Sequence, residues 1–170
     1  MSCIERLMPE FDVESRHAVR ISAPGARVYR CARELDLSRS LLIRTLFRLR
    51  GLPSAALRLD GLERMGFRAL EESPPQEFAL GLIGQFWRPA GGLFDFEPAA
   101  FTGFDRPGYA KVAWSFDVRE DPYGATFVET VTRVHCTDDG ARRRFRRYWR
   151  LVGPFSGLIR EHMLRLLRTE

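Results

Sequence analysis

Residues 138–170 read DDGARRRFRRYWRLVGPFSGLIREHMLRLLRTE, and this stretch decides the fold. At 100° per residue, its large apolar side chains share an arc of about 120°. They are Phe145, Tyr148, Trp149, Val152, Phe155, Ile159, Met163 and Leu166. Pro154 should kink this helix without ending it, because the apolar face keeps its phase beyond the proline. We therefore predict one helix of about 30 residues, roughly 45 Å long, which can cross a whole sheet.

The opposite arc of this helix, about 140° wide, is basic. It contains Arg142, Arg143, Arg146, Arg147, Arg150, Arg160, Arg165 and Arg168. The stretch 141–170 holds nine arginines and two glutamates, a net charge of +7, so the rest of the chain carries −2 of the total +5. Such a face is either simply solvated or makes weak contact with an anionic membrane surface. Specific nucleic-acid binding is not expected, because the aromatic side chains that could stack on bases lie on the other arc.

The chain before this helix begins with a strand and continues with helices. Residues 16–21 alternate polar and apolar, with His17, Val19 and Ile21 on one face, as in a half-buried strand. Apolar residues at helical spacing over 28–35 and again over 42–49 then predict two short helices, the second capped by Asp36 or Ser38.

The middle of the chain has the texture of strands. Residues 78–86 place apolar side chains on one parity, and Gly81 and Gly84 indicate a bulge or bend that could turn Trp87 inward. The clearest strand is 111–119, and a β-branched run over 126–136 returns antiparallel to it.

The size and cysteine content indicate one domain, 1–170, in a reducing compartment. A chain of 170 residues buries enough apolar surface to fold without disulfides or metals. Its three cysteines lack a paired or zinc-binding spacing, and its N-terminus lacks the apolar core of a signal peptide. No stretch approaches the roughly 20 apolar residues that span a bilayer. We expect a cytoplasmic protein.

The order of strand, two short helices, antiparallel strands and one long helix resembles the START/polyketide-cyclase (SRPBCC) superfamily. Within it, the chain is similar to a bacterial family without assigned function. The similar segments are residues 81–87 (GLIGQFW), 107–114 (PGYAKVAW), 132–134 (TRV), 148–150 (YWR) and 156–160 (SGLIR). The resemblance implies an α+β helix-grip fold, in which a curved antiparallel sheet of six or seven strands wraps around the long helix. It also implies a cavity for apolar or amphipathic small molecules, but no shared catalytic residue.

The aromatic and apolar residues on the helix and strands are the candidate ligand-binding residues. In a helix-grip fold the sheet and helix enclose more volume than small side chains fill, so we predict a cavity, although the same residues could fill it completely. The predicted lining comprises Phe47, Phe86, Trp87, Trp114, Phe116, Tyr148, Trp149, Val152, Phe155, Ile159 and Met163.

Acid–base chemistry has weaker support. Glu129, Arg133 and His135 share one parity of the last strand, but Val128, Val134 and Cys136 favour the other parity as the inner face, which leaves Glu129 and Arg133 in water. Tyr148 is then the one polar side chain that we place inside the cavity.

Neither a metal nor a cofactor is expected. The histidines at 17, 135 and 162 are scattered, and Gly81 and Gly84 open no phosphate-binding helix.

Two functions from different classes follow. The first is binding, or carriage, of a hydrophobic or amphipathic small molecule without catalysis. The alternative is a small cyclase, dehydratase or hydrolase of the polyketide-cyclase type, which requires a polar group of perturbed pKa deep in the cavity. A filled core with only an interaction surface is a third interpretation.

Overall fold

A computed structural model describes residues 1–36, 62, 66–88 and 92–168. The predicted second short helix and Phe47 lie outside these residues. The described elements are α1 (Cys3–Leu7), β1 (Val13–Ile21), α2 (Gly25–Arg33), β2 (Arg68–Ser73), β3 (Glu77–Gly84), a 3-10 turn (Pro98–Ala100), β4 (Ala110–Glu120), β5 (Thr126–Cys136) and α3 (Asp139–Leu167).

The strands form one antiparallel sheet in the order β1-β5-β4-β3-β2, and α3 lies against one of its faces. This α+β arrangement confirms the predicted helix-grip fold class. Five strands are present in the described residues, where six or seven were predicted. The difference lies partly in residues 92–109, which contribute the 3-10 turn and a single bridge between Ile83 and Phe94. Prolines, which cannot donate a hydrogen bond to a neighbouring strand, and glycines, which weaken a strand, are frequent there.

The inner face of the sheet, which contacts α3, is built from alternate residues of each strand. One row across it pairs Leu80 with Trp114 and Trp114 with Thr132, and Thr132 pairs with Ser15. The predicted parity of β5 is confirmed, because Val128, Val134 and Cys136 are all buried on this face. The alternation of β1 is also confirmed, with His17 on the inner face beside Thr130.

The outer face of the sheet carries a second apolar core that the sequence patterns did not predict. Helix α1 and residues 92–109 cover this face, and β4 is consequently buried on both sides over much of its length. The residues of this core, all 7 % exposed or less, are Ile4, Met8, Ile83, Phe96, Phe101, Ala113 and Val131. A strand covered on both faces has no exposed parity, so alternation alone identifies only half of its environment.

Gly81 marks an irregularity in this sheet, as predicted, but the bulge lies on the neighbouring strand. The register between β2 and β3 shifts between Ala69 and Glu71, so that Leu70 crosses directly over Gly81. A Cβ at position 81 would lie 2.7 Å from Leu70 Cδ1, which is closer than carbon atoms pack. Glycine at position 81 thus leaves room for the Leu70 side chain, which would have to shift if a Cβ were present.

Arg133 corrects the prediction that the outer parity of β5 lies in water, because it is only 7 % exposed. Its Nε donates to Glu14 Oε2 at 2.7 Å and its Nη1 donates to the carbonyl oxygen of Met8 at 2.9 Å. The guanidinium also lies 4.4 Å from the centre of the Phe11 ring. Arg133 thus fastens the N-terminal segment to the sheet. Glu129 also departs from the prediction, because its side chain is only 16 % exposed, although it forms ion pairs with the exposed side chains of Arg16 and Arg119.

We expect the Arg133→Met substitution to lower the free energy of unfolding by about 2–4 kcal/mol, because it leaves Glu14 and the Met8 carbonyl without their buried cation. Urea denaturation followed by circular dichroism would measure the change. Arg16→Met is the matched control, since Arg16 is an exposed arginine of the same face that pairs with Glu14 and Glu129, and its loss should cost less than about 1 kcal/mol. Equal effects of the two substitutions would contradict the anchoring role.

Candidate functional site

Helix α3 is held at its two ends by separate apolar clusters on the inner face. Asp138 caps its start by accepting a hydrogen bond from the Ala141 amide at 2.8 Å. Phe145 packs there with Val134 and Cys136. Near the other end, Met163, Leu164 and Leu167 belong to a larger cluster that includes α2 and the far part of the sheet. The middle of the helix therefore crosses the sheet between two packed regions.

The buried face of α3 is rotated from the predicted apolar arc. Phe155, predicted to face the cavity, is 45 % exposed, and Arg160, predicted to lie in solvent, faces the sheet. On a helical wheel Phe155 lies roughly 80° to one side of Phe145, and Arg160 lies roughly 60° to the other. The apolar arc was therefore centred too far toward Phe155. Helix α3 continues through Pro154, as predicted.

Arg160 is the polar centre of the space between helix and sheet. Its Nε donates to Thr132 Oγ1 at 2.9 Å, and its Nη1 donates to the Ser156 carbonyl at 3.0 Å and to the Ser156 hydroxyl. The guanidinium lies 5.7 Å from the centre of the Trp114 ring. The residue as a whole is partly exposed, but its charged end is enclosed, and this burial lowers the guanidinium pKa to about 10.

The sheet surface beneath Arg160 is a polar patch, which we define as Ser15, His17, Thr130 and Thr132. These residues occupy two adjacent rows of β1 and β5, since Ser15 pairs with Thr132 and His17 pairs with Thr130. The Ser15 hydroxyl and His17 Nε2 lie 3.1 Å apart. Thr130 Oγ1 accepts from Trp114 Nε1 at 2.8 Å and donates to the Ser115 carbonyl. The patch separates the two apolar clusters.

His17 is kept neutral by its surroundings. Burial lowers the pKa of its imidazole below the usual value near 6.5, and the Arg160 cation lowers it further, while Glu161 opposes the shift. The nearest atom of His17 would lie 3.9 Å from a Cβ at Gly157, so the ring faces α3 where the helix has no side chain. A neutral base and a buried cation therefore share this space.

The other predicted lining residues divide between the two clusters. Phe116 and Met163 are buried in the larger cluster, with Trp114 and Ile159 packed against it. Phe86, Trp87, Tyr148 and Trp149 pack against the cluster at the start of α3, so Trp87 faces inward. Val152 is half-buried in the stretch of the helix between them. That this set lines a ligand cavity stays a prediction.

The remaining chemical candidates are not brought together. Burial raises the pKa of the Cys3 and Cys136 thiols to about 12 each, so neither is a nucleophile at neutral pH. Glu129, Arg133 and His135 lie on the outer face of β5, away from the polar patch. Within the described part of the chain, no group of three or more metal-ligating side chains occurs.

Two open clefts lie at the rim of the described structure, away from Arg160. One, of about 500 Å³, lies between Gly25, Gln76 and Glu120, and the other, of about 320 Å³, lies beside Ile21 and Leu167. Neither is lined by Arg160, by the polar patch or by a predicted lining residue. We take the polar patch together with Arg160 as the candidate site, because this group combines burial, a cation and a base.

The basic face of α3 is smaller than predicted. Arg160 turns inward, and Arg142 pairs with Asp12 and Asp139. The other predicted arginines of this face are exposed. Contact with an anionic membrane surface stays a prediction. No helix among the described residues combines the length and apolarity needed to cross a membrane.

The sequence patterns put His17 on the same strand face as Val19 and Ile21, but they did not select it or the other residues of the polar patch for the site. Strand parity contained a usable signal, because an inward Val128 and Val134 also place Thr130 and Thr132 inward. For Arg160 the hydrophobic pattern gave the wrong signal, since it lies at the edge of the basic arc.

Acidification should destabilise the fold through His17. The unfolded chain takes up a proton near pH 6.5 and the folded chain only at lower pH, so the free energy of unfolding falls as the pH drops through that window. Urea denaturation at pH 7.5 and pH 5 should show a smaller loss in His17→Gln than in the wild type. Identical losses would contradict this origin.

Comparisons with known proteins find similarity of structure only. No protein-family model matches the chain, and no curated protein matches it. A solved structure from Deinococcus radiodurans has 13 % sequence identity and a TM-score of 0.37, with 81 % of this chain and 95 % of that chain covered. A structure from Thermus thermophilus has 13 % identity and a TM-score of 0.36, with 92 % of this chain and 95 % of that chain covered. The Zhui aromatase/cyclase from Streptomyces sp. R1128 has 12 % identity and a TM-score of 0.28, with 91 % of this chain and 95 % of that chain covered. These similarities are too distant to transfer a ligand or a reaction.

Proposed function

We propose that this protein binds a hydrophobic or amphipathic small molecule between helix α3 and the inner face of the sheet. The observation that carries the proposal is the division of the inner face. Two apolar clusters hold the ends of α3, and a polar patch with a buried cation lies between them. If this region served only stability, apolar side chains there would give a more stable fold than a polar patch with a cation, because burying a charge is costly.

The resemblance of the sequence to the START/polyketide-cyclase superfamily supports the same location. The element order that suggested it agrees with the described architecture, in which the long last helix crosses an antiparallel sheet. We propose that the chain is a member of this superfamily and that binding or carriage of the ligand is its role.

Gly157 provides a way to separate a cavity from a filled core. Its missing side chain faces His17, and a Cβ placed there would make only ordinary contact, at 3.9 Å from the ring. The further carbons of a leucine would extend into the space between the helix and the polar patch. Leucine also favours a helix over glycine by roughly 0.8–1 kcal/mol.

We expect Gly157→Leu to weaken binding of the neutral hydrophobic fluorophore N-phenyl-1-naphthylamine at least about tenfold, while the free energy of unfolding stays constant or rises by up to about 1 kcal/mol. Fluorescence titration and urea denaturation measure the two effects. If the space is already packed, the substitution should instead destabilise the fold by about 1–3 kcal/mol.

Gly103→Leu is the control for this test. Gly103 is exposed, and no atom lies within 4 Å of a Cβ built there. The control variant should bind the fluorophore as the wild type does. Failure of the wild type to bind any neutral or charged hydrophobic probe would overturn the proposed function.

A second candidate function, an enzyme of the polyketide-cyclase type, is favoured by the pairing of His17 with Arg160. A neutral imidazole can remove a proton from a carbon next to a carbonyl group, and the guanidinium can stabilise the resulting enolate oxygen. The enolate carbon would then attack a second carbonyl of the same substrate and close the ring, and the resulting alkoxide would take the proton back from the His17 imidazolium. Loss of this hydroxyl with a hydrogen from the neighbouring carbon, as water, would then form the double bond.

Catalysis would be tested with a linear poly-β-ketone thioester, with products followed by absorbance and mass spectrometry. If the protein is an enzyme, His17→Gln should lower the rate of ring formation by about 100-fold or more. His135→Gln, on the outer face, is the matched control and should keep the wild-type rate. Recovery of bound but unchanged substrate from the wild type would leave binding alone as the function.

A further inference from the structure

Arg160 is a partly exposed arginine whose enclosed guanidinium has no carboxylate partner among the described residues. Among the described residues, its hydrogen bonds go only to the Thr132 hydroxyl, the Ser156 carbonyl and the Ser156 hydroxyl, which are all neutral. Arg133, which is buried on the outer face of the sheet, has Glu14 as its counter-ion. Enclosed charges are normally paired, because their separation from water is not repaid by neutral hydrogen bonds alone.

The guanidinium also has N–H donors that make no hydrogen bond with a described residue. An arginine has five N–H groups, and the three hydrogen bonds of Arg160 use Nε and Nη1. Its Nη2 makes no hydrogen bond with a described residue. Because no fully buried side-chain nitrogen or oxygen in the described structure lacks a partner, Nη2 still has access to open space. Two N–H groups of Arg160 are therefore available to an acceptor that is not part of the described chain.

The surroundings of Arg160 fix it in place. Thr132 holds Nε from the sheet and Ser156 holds Nη1 from the preceding turn of α3, so the planar group has little freedom to turn. Trp114 lies against the guanidinium, with its own Nε1 committed to Thr130. A fixed cation loses little further entropy when it binds an anion.

We propose that Arg160 is the head-group anchor of the binding site and that the ligand is a hydrophobic monocarboxylic acid. This inference rests on the proposed function and specifies its ligand class. The carboxylate accepts hydrogen bonds from the free Nη2 of Arg160, with the polar patch beside it. The apolar body lies along Trp114, Ile159 and Val152, between the two clusters.

The single charge of Arg160 favours a carboxylate over a phosphate. In an enclosed site the stable arrangement is one anion for one cation, and His17 stays neutral beside it. A phosphate ester carries close to two negative charges at neutral pH and would leave one uncompensated. The planar guanidinium also matches the planar carboxylate in geometry.

The test compares 11-(dansylamino)undecanoic acid with its methyl ester, which has the same body and no charge. Fluorescence titration at pH 7.5 should show that the wild type binds the acid at least about tenfold more tightly than the ester. Arg160→Met should remove this preference and leave binding of the ester within about twofold. Arg160→Lys should keep part of the preference.

Arg150→Met is the matched control, because Arg150 is an exposed arginine of the same helix. It should retain the wild-type preference for the acid, which would exclude a general attraction of acids to the basic helix. Tight binding of undecyl phosphate, with the acid bound no better than the ester, would overturn the assignment of a carboxylate.

The outcomes separate this inference from the proposed function. Equal binding of acid and ester by the wild type would overturn the head-group assignment but leave the hydrophobic site standing. A preference that persists in Arg160→Met would also overturn it. Binding of neither probe would overturn both proposals.

A second measurement uses only the wild-type protein, so it does not require that a variant folds. His17 is faced by Arg160 and Glu161 from α3, by Ser15 on its own strand and by Thr130 on the neighbouring strand. A bound carboxylate would offset the Arg160 charge, so the imidazole pKa of wild-type His17, followed by NMR, should rise with the acid and not with the ester. An unchanged pKa under saturating acid would overturn the proposal.

Discussion

The packing of α3 at its two ends is the constraint on which the rest of the structure depends. Phe145 holds the start of the helix against β4 and β5, and Met163, Leu164 and Leu167 hold its far end against α2 and the sheet. With both ends fixed, the position and rotation of the middle of the helix are no longer free. Its side chains need not pack as tightly as those at the ends, so this stretch can accept polar residues without loss of the fold.

The polar patch is a direct result of this arrangement. Ser15, His17, Thr130 and Thr132 lie on the inner parity of β1 and β5, where apolar residues would ordinarily continue the core. Arg160 reaches them from α3, and Gly157 allows the helix to lie close to His17. Removing these polar groups from water is unfavourable, and their mutual hydrogen bonds offset part of that free energy. A bound carboxylate would offset more of this unfavourable free energy, which connects the stability of the site with its proposed ligand.

The outer face of the sheet has a different role. Arg133, its ion pair with Glu14 and its bonds to the end of α1 attach the N-terminal segment over a second apolar core. Because this core also stabilises the fold, the inner face does not have to supply all of the buried apolar surface. The two buried arginines therefore differ in purpose, because Arg133 has its counter-ion within the chain and Arg160 has none among the described residues.

The sequence by itself determined the fold class, the long helix through Pro154, the inner parity of β5 and the alternation of β1, which puts His17 on the same face as Val19 and Ile21. These features depend on local periodicity, which is repeated over enough residues to be unambiguous. Only the tertiary structure decided the rotation of α3, which exposes Phe155 and encloses Arg160, and the covering of the outer face, which encloses Arg133. The physical reason is that an arc of apolar residues gives the direction of a helix face only approximately. The final rotation depends on where the sheet offers apolar clusters and where it offers hydroxyl groups, and those positions are set by residues distant in the chain.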